Sequence, residues 1–60
     1  MEADLAYYRR RLAEETAAAA AALHPKVRQV HRELAHGYDR RIADLEAERG
    51  RAHLHLVTAA

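Results

Sequence analysis

The tripeptide Leu23-His24-Pro25 constrains the fold of this chain more than any other feature of the sequence. Proline fixes φ at about −65° and lacks a backbone N–H, so it suits the first turn of a helix. It also pushes the residue before it out of the α region. We therefore predict a first helix over about residues 3–23, a turn with His24 as N-cap, and a second helix over about residues 25–49.

Each predicted helix carries apolar side chains along one side, at spacings of three and four residues that are typical of a helix seam. We predict that association depends on nine of these residues: Leu5, Tyr8, Leu12, Val27, Val30, Leu34, Tyr38, Ile42 and Leu45. The short turn requires the two helices to lie antiparallel.

The composition limits how stable such a hairpin can be alone. The chain has 60 residues and no cysteine, and half of its nominally apolar residues are alanine, which bury little area. A domain this short buries only about 60% of its unfolded surface. We therefore predict an all-α fold in which an antiparallel helical hairpin dimerises into a four-helix bundle. The homodimer is the first expectation because two-fold dimers are the commonest closed assembly.

Two glycines interrupt the second helical pattern. Gly50 is predicted to cap the helix after Arg49, and residues 51–60 to form a tail that is frayed or structured by a partner. Within the tail, residues 53–58 alternate as a strand would, although the helical phase also continues there. Gly37 costs about 1 kcal/mol relative to alanine inside a helix. It is either a tolerated weak point or a place where two backbones cross closely.

Glu15 occupies a seam position, where a carboxylate is seldom buried without a partner. Counting outward from the turn places it near His31, and Arg11 lies one turn before it. We predict a polar seam contact of Glu15 with one of these two residues. Glu15, Glu33 and His36 also match the ligand types of ferritin-like metal-binding bundles. However, Glu33 and His36 fall outside the apolar side of the helix, so we expect no metal and no cofactor.

The remaining chemistry is sparse, and we expect no enzymatic activity and no catalytic residue. The chain has no serine and no cysteine, which leaves almost no candidate nucleophile. Arg28, Arg32 and Arg40 form a basic stripe that could contact nucleic-acid phosphates. Acidic residues are interspersed and the net charge is only +1, so an ordinary solvated face is favoured over a nucleic-acid partner.

No apolar run approaches the ~18 residues that a membrane span requires. We therefore expect a soluble, cytoplasmic protein without a membrane span.

The segment from Tyr8 to Tyr38 resembles a group of very short, uncharacterised bacterial helical-hairpin proteins. They share a Tyr-Arg-rich helix, a proline-containing turn and a Glu-Leu-Ala-x-x-Tyr helix, here residues 33–38. The resemblance covers roughly residues 5–48 and implies a hairpin, but the group has no settled activity and transfers no site. His24 departs from the small polar cap usual in the group.

Taken together, the sequence predicts a non-enzymatic, self-associating helical hairpin that serves as an interaction or regulatory module. It could instead be a small subunit of a larger protein assembly, in which foreign helices would cover the apolar residues. The alternatives are a nucleic-acid-binding hairpin dimer that uses the arginine stripe and, less favoured, a ferritin-like metal-binding half-bundle.

Overall fold

Two α-helices and the turn between them account for the described part of the chain. The computed structural model describes the backbone of residues 3–59 and the side chains of residues 3–51. Helix α1 spans Asp4–Ala21 and helix α2 spans Pro25–Ala59, and no strand occurs among these residues. The helices pack against each other along the length of α1. The predicted all-α helical hairpin is therefore confirmed.

The turn is held by hydrogen bonds at both helix ends. The ring Nδ1 of His24 accepts a hydrogen bond from the backbone N–H of Lys26 at 3.2 Å. This contact caps α2, because the first N–H groups of a helix have no partner within it. On the other side of the turn, the Arg28 guanidinium donates to the Ala22 carbonyl at 3.2 Å. That bond occupies a carbonyl at the end of α1 that the helix leaves free.

Helix α2 is longer than the sequence predicted. It continues to Ala59 instead of ending at Arg49, and Gly50 lies inside it. A glycine that ends a helix takes a positive φ, and neither glycine of the chain does so. Residues 51–59 therefore extend the helical backbone and do not form a strand. The side chains of residues 52–60 lie outside the described residues.

The face that α2 turns toward α1 also differs from the prediction. Its buried and half-buried residues are Arg28, His31, Ala35, Tyr38, Ile42 and Leu45. Near the turn, Val27, Val30 and Leu34 were expected on this face, but they are 47%, 53% and 43% exposed.

The cause of this rotation lies in the partners of two polar residues. Arg28 reaches the Ala22 carbonyl and His31 reaches Glu15, so both side chains are drawn toward α1. The alanines at this end of α1 leave room for their stems, because small side chains allow bulkier neighbours to fit against the helix. With Arg28 and His31 inside, the helical period places the apolar residues beside them outside.

The hydrophobic core is small. Among the described residues, only Leu5, Ala19 and Ile42 are buried apolar side chains, and Tyr8 and Leu12 are half-buried. The hairpin measures 55 × 23 × 12 Å along its principal axes, which is the thickness of a single helix in its shortest dimension. A single layer of two helices leaves both of its broad sides exposed, whereas stable domains pack at least two layers.

Candidate functional site

Four polar and aromatic side chains meet where the two helices touch at mid-length. We call Arg11, Glu15, His31 and Tyr38 the seam cluster. Glu15 as a whole residue is only 6% exposed, and each oxygen of its carboxylate has a partner. Arg11 Nη2 donates to Oε1 at 2.8 Å, and His31 Nδ1 lies 2.6 Å from Oε2. The structure thus gives Glu15 both of the partners that the sequence offered as alternatives.

Tyr38 completes the cluster from α2. Arg11 Nε donates to the Tyr38 hydroxyl at 3.3 Å, and the guanidinium carbon lies 5.4 Å from the centre of the Tyr38 ring. Arg11 Nη1 also donates to the Glu14 carboxylate at 3.0 Å, so one arginine holds a tyrosine and two carboxylates at once. Sequence reasoning placed Tyr38 among the apolar residues and missed this hydrogen bond, because helical spacing alone says nothing about where a hydroxyl ends.

The charges of the seam cluster support one another. The hydrogen bond from His31 is the main cause that lowers the pKa of Glu15 below its ordinary value. Burial acts in the opposite direction, and the nearby charge of Arg11 adds to the lowering. The hydrogen bond to Tyr38 is the main cause that raises the pKa of Arg11 above its ordinary value. Glu15 is therefore ionised and Arg11 charged at neutral pH. No buried side-chain nitrogen or oxygen among the described residues lacks a hydrogen-bond partner.

Next to the cluster, three aromatic rings run across the hairpin. The rings of Tyr7 and Tyr8 meet edge to face with centroids 5.4 Å apart, and Tyr8 lies 6.0 Å from Tyr38 on the other helix. Such contacts add to the area that the rings bury. Tyr7, at 39% exposed, is the outermost ring, and it ends on the same side of the hairpin as Leu34.

That side of the hairpin carries an apolar stripe, which we define as Val27, Val30 and Leu34. Leu23, just before it in the turn, is 96% exposed. Toward Tyr7 the stripe borders a hollow of about 450 Å³, which we call the tyrosine hollow. Its lining residues are Tyr7, Tyr8, Glu33, Leu34, Gly37, Tyr38 and Arg41.

Of the nine residues predicted to carry association, six lie at the contact between the two helices and three do not. Leu5, Tyr8, Leu12, Tyr38, Ile42 and Leu45 lie in or beside the contact between α1 and α2. The three residues of the apolar stripe make up the rest, and they lie on the surface. An unpartnered row of large aliphatic side chains is typical of a surface that binds another protein.

The predicted arginine stripe is divided in the structure. Arg28 and Arg32 lie beside a groove of about 500 Å³ on the side opposite the apolar stripe. The other residues that line it are Thr16, Ala19, Ala20 and Ala35. Arg40 instead lies with Arg41 and Asp44 beside another, smaller hollow. The three arginines therefore do not share one face.

The three candidate metal ligands are also separated. Glu15 is buried in the seam cluster, whereas Glu33 and His36 are exposed on α2. Within residues 3–51, no three histidine, aspartate or glutamate side chains are grouped so that they could hold a metal ion. Neither helix, over its described length, is apolar enough along a long enough stretch to cross a membrane.

Comparison with known proteins adds no relative: no family model matches the chain, and no curated protein or solved structure is significantly similar to it.

Proposed function

We propose that this chain is a non-enzymatic interaction module that self-associates through its apolar stripe, as a homodimer of hairpins forming a four-helix bundle. The observation that carries the proposal is the exposure of Val27, Val30 and Leu34 beside a core in which only three apolar side chains of the described residues are buried. A second hairpin laid on that side would bury the stripe and supply the second layer.

The size of the surface fits this proposal. A stable protein–protein interface covers roughly 800 Å² on each partner. The whole hairpin has an accessible surface of 4970 Å², so such an interface needs only about a sixth of it. The stripe and the tyrosine hollow, which Tyr7 lines, lie on one side of the hairpin, and the apolar residues there stand beside the charged Glu33 and Arg41. Protein interfaces combine apolar and polar contacts in this way.

Mass measurement at several protein concentrations tests the proposal. We expect light scattering to give twice the chain mass at micromolar concentration. Val30→Glu places a charge in the stripe and should return the protein to the monomer. His36→Glu introduces the same side chain on an exposed site away from the stripe and serves as the control. A folded wild-type monomer at all concentrations would contradict self-association, and a stoichiometric complex with foreign helices would favour the larger assembly.

A nucleic-acid-binding hairpin is the second candidate, supported by one feature. Arg28 and Arg32 lie beside the same groove, and Arg32 forms no ion pair with any described residue. Two adjacent guanidinium groups suit a phosphate backbone. If this reading holds, RNA or DNA binding falls with salt and with Arg32→Ala. No binding at low salt removes it.

A further inference from the structure

Gly37 lies in the middle of α2, where glycine is a poor choice for a helix. Its φ is not positive, so the backbone does not require glycine there. A Cβ built on it would meet nothing within 4 Å, so the packing of the hairpin does not require glycine either. Nothing in the described part of one chain therefore accounts for the glycine. Glycine also permits a second backbone to approach closely.

The surroundings of Gly37 match such an approach. It lines the tyrosine hollow, and Leu34 and Tyr7 stand at the edge with 43% and 39% of their surface exposed. Val30, one turn before Leu34, is more exposed still. The missing side chain thus leaves a depression between apolar residues on one side and charged residues on the other, where Gly37 also borders the smaller hollow of Arg40, Arg41 and Asp44. Gly50 has equally open surroundings but does not line this hollow.

Two opposite charges lie at equal distances on either side of Gly37. Glu33 is four residues before it and Arg41 four residues after it, and both line the tyrosine hollow. Glu33 accepts a hydrogen bond from Gln29 at 3.2 Å. Within the described residues, neither Glu33 nor Arg41 forms an ion pair. Neither charge is therefore neutralised by another side chain of the described residues.

The placement of these two charges favours a second copy of the chain as the partner, with the two α2 helices antiparallel. If two copies of α2 cross antiparallel on a two-fold axis at Gly37, each residue faces the one equally far from Gly37 on the opposite side. Glu33 then faces Arg41 of the second copy, and Arg41 faces Glu33. Lys26 and Glu48, eleven residues to either side, are matched in the same way. A parallel crossing would oppose like charges at each of these positions, which is unfavourable.

We propose that a second copy of this chain occupies the tyrosine hollow, with its α2 crossing the first antiparallel at Gly37 and two reciprocal Glu33–Arg41 ion pairs fixing the orientation. This inference rests on the proposed self-association and specifies its geometry. The interaxial distance of packed helices depends on the side chains at the crossing, so glycine at the axis allows the two helices to approach closely.

Charge reversal tests the crossing. Glu33→Arg alone and Arg41→Glu alone each place like charges opposite one another twice, and we expect each to weaken the dimer by about tenfold or more in Kd at low salt. Mixed in equal amounts, the two variants carry complementary charges and should form a heterodimer with about the wild-type Kd. Sedimentation velocity measures both results. Asp39→Arg and Arg32→Glu, exposed on the other side of α2, are the matched controls and should leave the Kd unchanged.

Glycine replacement provides a second, independent test. Gly37→Leu should abolish dimerisation while circular dichroism shows helical content that is unchanged or higher, because leucine favours a helix. Gly50→Leu is the control and should dimerise normally.

Different results would contradict the proposed self-association and the proposed crossing at Gly37. A wild-type monomer at every concentration overturns the self-association itself. A wild-type dimer that tolerates Gly37→Leu, or whose two charge variants do not recover on mixing, overturns the crossing and leaves self-association standing.

Discussion

At the scale of single residues, Glu15 shows how a buried carboxylate is kept in a chain with so little core. Its two oxygens are each occupied, one by an arginine of its own helix and one by a histidine of the other. Removing one partner of such a group leaves a desolvated charge, which is more costly than never burying it. Arg11 is fixed in turn by Tyr38, so the four side chains of the seam cluster depend on one another.

The lowered pKa of Glu15 predicts a loss of stability in acid. The unfolded chain, with an ordinary glutamate pKa of about 4.3, takes up the proton first as the pH falls. The stabilisation from Glu15 is therefore complete above that value and is lost as the pH falls through the lowered pKa of the folded state. Urea unfolding followed between pH 7 and pH 3 measures it.

Glu15→Gln should be less stable at neutral pH and should lose part of this acid dependence. Glu46→Gln is the control, since the ion pair of Glu46 with Arg9 is exposed and lies outside the seam cluster. An acid dependence that is the same in wild type and Glu15→Gln would contradict the prediction.

Counting from the turn was enough to place Glu15 beside His31, and the spacing of four residues was enough to place it near Arg11. Both inferences depend only on helix geometry and a short connection. The role of the Tyr38 hydroxyl was not predictable in this way. It depends on which rotamer of Arg11 satisfies three partners at once, and spacing along the chain carries no such information.

At the scale of the elements, the starts of the helices were easier to predict than the end of α2. Proline and a capping residue mark the start of α2 through local chemistry. Glycine marks an end only when its backbone takes a left-handed conformation, and the residue type cannot reveal whether it does. Gly50 has neither a positive φ nor a close neighbour, and α2 runs through it.

This helical course predicts that Gly50→Ala stabilises the protein. Within a helix, alanine is favoured over glycine by about 1 kcal/mol, whereas at a left-handed cap alanine would be unfavourable. Thermal unfolding and circular dichroism should show a higher Tm and slightly more helix. A lower Tm would mean that α2 ends at Gly50 after all. Ala47→Gly, the reverse change one turn earlier, should lower the Tm by a similar amount.

The face of α2 was predicted only in part, because two overlapping sets of residues share its helical period. Tyr38, Ile42 and Leu45 belong to the face that contacts α1 in either reading. Toward the turn, apolar spacing favoured Val30 and its neighbours, whereas the structure places His31 inward. Hydrophobic periodicity ranks residues by apolarity, so it places His31 on the outside of the helix. In the structure, the buried carboxylate of Glu15 holds His31 on the inner face.

At the scale of the whole molecule, the hairpin is a plate one helix thick with two unlike sides. One side presents the apolar stripe and the tyrosine hollow, and the other presents Arg28, Arg32 and the groove that they line with residues of α1. The all-α hairpin followed from the turn and the helical periods. The helical periods do not predict whether a second copy or a foreign helix covers the apolar face, because that face has the same pattern in both cases.

If folding and self-association are coupled, the thermal stability depends on protein concentration. The Tm should rise by about 5 °C for each tenfold increase in concentration, because mass action favours the assembled state. Val30→Glu should remove this dependence, and His36→Glu should retain it. Scanning calorimetry over a hundredfold range of concentration checks the slope. A Tm that does not change over this range would show that one hairpin folds on its own.

The seam cluster has one more consequence, which concerns sliding. The alanines of α1 form a nearly flat surface, along which α2 could shift by one turn at small steric cost. Such a shift would move Glu15 from His31 to a position opposite Val27 or Ala35, neither of which can satisfy a carboxylate. The cluster therefore fixes the register of the two helices: it selects one alignment where packing alone would allow several.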